Sequence, residues 1–136
     1  MELTAVASCD EWSKGPLEKE LREALGHVTN LELVKVTFAC IYWRKANQIH
    51  KWFVDNLNGF ENCETKYVSK KLLIKLRDEC KEALDKKDPT ILPTESGFFF
   101  GSTEVDEGYW CDIKYTLEKL EEIVKLDLEF HYHANW

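Results

Sequence analysis

A change of hydrophobic period near residue 41 constrains this chain more than any other feature. Over residues 31–40, Val34, Val36, Phe38 and Cys40 alternate with Lys35, Thr37 and Ala39, the two-residue repeat of a half-buried strand. From about Ile41 the apolar spacing becomes helical and runs to Leu57, where Asn58-Gly59 stops it. A strand running into an amphipathic helix points to a mixed fold with both elements on one core.

The remaining pattern fits that frame. Gly15-Pro16 opens a short helix with Leu17, Leu21, Ala24 and Leu25 on one face, and Gly26 ends it. Ser69 is placed to cap a helix whose Leu73, Leu76, Cys80 and Ala83/Leu84 recur at three- and four-residue spacing. Asp88-Pro89 and Pro93 mark a loop. Another helix, roughly 107–126, is expected to bury Trp110, Ile113, Leu117, Leu120 and Val124, and Leu128–His133 reads as a strand that leads to Trp136. The expected fold is α+β: a small, mainly antiparallel sheet packed with three to four helices. With 136 residues and no repeat or linker, residues 1–136 read as a single domain. A chain this long can bury roughly two-thirds of its surface, so neither disulfides nor a metal is needed for a core.

Charge narrows the partners. Against 18 basic residues stand 25 acidic ones, a net charge of −7, which argues against a general nucleic-acid binder. A local basic pocket or a polyanion mimic remains compatible with it. No apolar run approaches the length of a membrane span, and the start lacks the basic and apolar regions of a signal peptide. The five cysteines form no CxxC pair, so a cytoplasmic protein without a cysteine-bound cofactor is expected.

The chemistry-bearing residues concentrate between Tyr42 and Val54. On a helix, Ile49, Tyr42, Phe53, Ala46 and Leu57 would share the apolar face. Trp43, Asn47 and His50 would lie on its shoulder with Arg44 just beyond, and Lys45 and Trp52 on the far side. An aromatic, an amide, an imidazole and a guanidinium along one edge suit a nucleotide-like anion, since a ring stacks on a base and Arg forks onto phosphate. The same groups could equally tie the helix to neighbouring loops. In Ser96–Ser102, two glycines flank Phe98-Phe99-Phe100, and Gly101 and Ser102 could offer backbone N–H groups to an anion. His131 and His133 share a strand face, but no third metal ligand is evident and no metal is assigned. His27-Val28-Thr29 lacks the second half that a two-histidine phosphoesterase would need.

Three stretches carry a resemblance: residues 42–54 (YWRKANQIHKWFV), residues 92–102 (LPTESGFFFGS) and the terminal aromatic strand closing on Trp136. Over residues 33–136 the chain is similar to a family of small bacteriophage and prophage proteins without an assigned reaction. Residues 1–30 are an N-terminal extension outside that match. The tail departs as well: His131-Tyr132-His133-Ala134-Asn135-Trp136 stands where the family resembles Tyr-Tyr-Gln-Ser-Ser-Trp. The resemblance implies phage origin and places the function in counter-defence. The first expectation is a non-enzymatic protein, completed at a subunit interface in a homo-oligomer, that sequesters a small nucleotide-derived immune signal. The alternative is an acidic, anti-CRISPR-like inhibitor that contacts a host defence protein. A third is a nucleotide-acting enzyme with His50 as general base.

Overall fold

A computed structural model of the chain describes residues 1–10, 23, 33–97 and 101–135. The helix expected from Gly15-Pro16, the His27 segment, Phe98–Phe100 and Trp136 lie outside the described residues. The described elements run β1 (Glu2–Asp10), β2 (Leu33–Tyr42), α1 (Asn47–Asn56), β3 (Thr65–Val68), α2 (Lys70–Lys86), α3 (Glu107–Ile123) and β4 (Glu129–His133). The strands form a four-stranded sheet in the order β2-β1-β4-β3, antiparallel at every pairing. The fold is α+β, as expected.

Among the described residues, the sheet has a covered face and an open one. Register places Leu3 beside Ile41 and Tyr132, Ala5 beside Phe130, and Phe130 beside Val68, and all six side chains are buried. Phe53 of α1 stacks on Tyr132 with ring centroids 3.9 Å apart, which seats the helix on this face. Leu73, Leu76, Cys80 and Ala83 of α2 join Ile113 and Leu120 of α3 in the same core. The opposite face carries Tyr42, Thr4, His131, Tyr67 and Thr65.

Ser69 caps α2 as its position foretold, its hydroxyl accepting from Leu72 N–H at 3.3 Å. In α3 the expected face is turned slightly. Ile113 and Leu120 are buried, but Tyr109, Thr116 and Ile123 complete the stripe, while Trp110, Leu117 and Val124 lie half-buried at its margin. The larger difference is at the chain's start. Residues 2–10, assigned to an extension, form a central strand between β2 and β4. Glu2-Leu3-Thr4-Ala5-Val6 does alternate, but the small Ala5 gives the buried positions little hydrophobic weight.

The junction after β2 is also redrawn. The strand continues to Tyr42 and α1 begins only at Asn47, so residues 43–46 form a turn rather than the first turn of a helix. Lys45 adopts a left-handed backbone, φ 63°, which no α-helix can contain. The register shifts at Cys40, the extra residue between the Thr4–Ala39 and Leu3–Ile41 pairs, and this turns Tyr42 to the face opposite Phe38: it pairs with Glu2 and is 63% exposed, not part of an apolar helix face. Its neighbour Trp43 takes the buried position.

Candidate functional site

The turn and the first half of α1 carry the residues singled out in the sequence, and the structure divides them into two groups. Trp43, Asn47 and His50 are 2%, 2% and 3% exposed. Trp43 packs against Phe53 and Tyr132, and its Nε1–H donates to Thr116 Oγ1 at 2.8 Å. Thr116 passes its own hydrogen to the Asp112 carbonyl at 2.7 Å. Asn47 makes a two-way clamp on the main chain of Glu95: its Nδ2 donates to the carbonyl and its Oδ1 accepts from the N–H, both at 2.8 Å. His50 Nδ1 shares a 2.7 Å hydrogen bond with the Tyr132 hydroxyl. Burial, reinforced by the positive Met1 amino group, lowers the His50 pKa to about 4, so its imidazole is neutral at pH 7. Burial also pushes the Tyr132 phenol well above its ordinary range.

Arg44, Gly101 and Ser102 behave differently, for all three are exposed. Gly101 has φ 86°, and a Cβ there would lie 3.0 Å from the Lys45 carbonyl oxygen and 3.2 Å from Lys45 Cβ. Only glycine fits that approach without displacement. Two left-handed residues, Lys45 and Gly101, thus meet where the two sequence motifs touch. A second tie is the Asn47 clamp, which holds Glu95 six residues earlier in the same loop. Ser102 Oγ accepts from Glu104 N–H at 3.0 Å, ordering the chain beyond.

The result is a surface rim of Arg44, Lys45, Gly101 and Ser102 above a buried scaffold of Trp43, Asn47 and His50. Among the described residues, neither Arg44 nor Lys45 has an ion-pair partner, whereas Lys51 of α1 is 2.8 Å from Asp55 and 3.8 Å from Glu95. The exposed aromatic beside these cations is Tyr42, not Trp43. Chemically, two exposed cations and a glycine turn can hold an anion, while the neutral, enclosed His50 acts as an internal hydrogen-bonding post. Sequence spacing missed Thr116, Tyr132 and the Glu95 main chain, because each partner lies far along the chain. It also set Lys45 apart from the candidates, since a helix would have turned it away.

Two other places carry polar groups. Between α2 and α3, a groove of about 360 Å³ is lined by Arg77, Asp78, Lys81, Leu117, Glu121, Glu122 and Lys125. Its charges largely neutralise one another, as in Arg77–Asp78 at 2.7 Å and Lys125–Glu122 at 2.9 Å. On the open sheet face, His131 meets Tyr67 edge-on, and His133 Nδ1 lies 3.0 Å from both Thr65 Oγ1 and the Glu64 carbonyl. No group of three or more metal-ligating side chains gathers among the described residues. No described helix is long and apolar enough to cross a membrane.

Comparison with protein-family models, curated proteins and solved structures finds no match to this chain.

Proposed function

We propose that this chain is a non-catalytic phage counter-defence protein that sequesters a small nucleotide-derived anion at the Arg44–Lys45 turn. One observation carries the reading. Two exposed cations, without ion-pair partners among the described residues, stand on a left-handed turn that packs against Gly101. A non-glycine residue with positive φ costs about 1 kcal/mol, and backbone strain of this kind clusters at ligand-binding sites. Arg44 and Lys45 would meet the phosphate, the Gly101-Ser102 segment its remaining oxygens, and Tyr42 offers a ring for the base. The net charge of −7 then acts as a filter, repelling long polyanions while the local rim accepts a compact one. The phage setting rests on the resemblance of residues 42–54 and 92–102.

The test is thermal unfolding with a panel of mononucleotides and cyclic dinucleotides, repeated on Arg44→Ala/Lys45→Ala. A ligand at a hundred times its Kd should raise the wild-type midpoint by roughly 5–10 °C and leave the double variant unmoved. A panel without any shift, or an equal shift in both proteins, would sink the proposal.

A second reading is favoured by the surface of α3 and its flanks. Glu104, Glu107, Glu118, Glu121 and Glu122 are exposed there, interrupted by Lys114 and Lys119. This acidic surface supports an inhibitor that occupies a basic channel in a host defence protein. Capture of such a partner that weakens steeply with salt, and with charge reversal on α3 but not at Arg44, would favour it over sequestration.

A further inference from the structure

The two edges of the sheet are built very differently. β3 is four residues long, and beside it Lys66 Nζ reaches back to the Leu57 and Gly59 carbonyls and to Glu64. Such a short, charged edge is a poor template for another strand. β2 is ten residues long, and its sequence, LVKVTFACIY, holds a single charged residue. Its ladder with β1 shifts register at Cys40, and among the described residues its outer edge, about 34 Å long, meets no other strand.

Several described side chains of this strand are also exposed. Phe38 lies opposite Ala5, which is fully buried, yet Phe38 is 39% exposed. Thr37 and Ala39 beside it are exposed, and Tyr42 stands out on the other face. An apolar ring thus borders the free edge on each side of the sheet.

We infer that β2 is the pairing edge for a second copy of this chain, joined antiparallel about a two-fold axis near Phe38 to make one continuous sheet. The strand suits itself as a partner. An antiparallel two-fold pairing is self-complementary, brings the two Phe38 rings together on the helix side, and sets the Lys35 positions on opposite sides of the axis. It also closes at two copies, because the remaining outer edges are the short β3 strands. The exposed parts of Phe38 and Tyr42 supply roughly 200 Å² of aromatic surface per copy. With ten residues of main chain added, the two-copy contact approaches about 1,000 Å², the lower bound of specific association, so a micromolar dimer is expected. Each copy carries net −7, so salt should tighten the pairing by screening repulsion. The inference stands on the sheet edge and needs no anion; the one side chain it shares with the anion reading is Tyr42.

Sedimentation equilibrium of the full chain, from about 1 to 300 µM and at low and high salt, tests it. The expected result is a monomer–dimer equilibrium that strengthens with salt. Ala39→Lys, at an exposed position, and Phe38→Lys should each weaken it about tenfold or more with the circular dichroism spectrum unchanged. Hydrogen exchange of the amides around 36–40 should slow as concentration rises. A chain that stays monomeric throughout, or a dimer that ignores both lysines and leaves those amides unprotected, overturns the inference. In the first case the edge is left for a foreign strand.

Discussion

Trp43 and Arg44 are neighbours in sequence, yet they belong to different parts of the molecule. Trp43 is sealed between Phe53, Tyr132 and Thr116, while Arg44 stands in solvent without an ion-pair partner among the described residues. The same split separates Asn47 and His50 from Lys45, Gly101 and Ser102. The inner group makes the architecture and the outer group faces solvent. A chemically rich motif can therefore serve both purposes, with the geometry of one turn deciding which residue does which.

The sharpest way to break this comparison is at Trp43. Replacing it with Ala should cost about 3–5 kcal/mol, because a filled core site is emptied and the Thr116 hydroxyl loses its donor. Urea unfolding measures it; a loss below about 1 kcal/mol would mean the indole is not a core anchor.

His50 gives the next effect, through pH. Its folded pKa of about 4 lies below the ordinary 6.5, so between those values the unfolded chain binds the extra proton. Stability is fully present above pH 6.5 and falls as pH drops towards 4, by up to about 3 kcal/mol from this residue. His50→Gln should show a flatter stability profile over that window. Identical slopes in the two proteins would remove His50 from the buried group.

Asn47→Ala is expected to cost less, about 1–2 kcal/mol, since water can replace part of the clamp on the exposed Glu95 main chain. It should also weaken any anion binding indirectly, because Glu95 leads into the Gly101 loop. Rescue of both properties by Asn47→Asp would be unexpected, as a carboxylate cannot donate to the Glu95 carbonyl.

Arg44→Ala marks the small end of the series. Its stability should stay within about 0.5 kcal/mol of wild type, while ligand-induced stabilisation disappears. Lys45→Gly separates strain from charge at the same turn. It should be neutral or stabilising by up to about 1 kcal/mol, because glycine tolerates φ 63°, and yet weaken anion binding. A destabilised Lys45→Gly would show that the lysine side chain holds the fold together.

The periodic elements were legible because their cause is local. Ser69 and the Leu73, Leu76, Cys80, Ala83 spacing announced α2, and the last strand and α3 followed the same logic. β1 was harder to see, since Ala5, one of its inward residues, is small and its identity comes from pairing with both β2 and β4. β3 is four residues long, too short for a period to declare itself.

The candidate site shows the same boundary. The residue types at this junction could be read from the sequence: Trp43, Arg44, Asn47, His50, Gly101 and Ser102 all sit at the meeting of two motifs or beneath it. Their roles could not, because each depends on a partner dozens of residues away: Thr116 for Trp43, Glu95 for Asn47, Tyr132 for His50, and Gly101 for Lys45. Extending the helical period back through 43–46 put Tyr42 inside and left Trp43 at the shoulder, the reverse of what occurs.

The sequence by itself determined the change from strand to helix, the α+β class and the cluster of chemical groups around it, because period and composition act over a few residues. Only the tertiary structure decided where that change falls, which side chains are enclosed and how the described strands pair. Those outcomes depend on contacts between distant segments, and a left-handed turn at Lys45 becomes favourable only when Gly101 and the sheet are already in place.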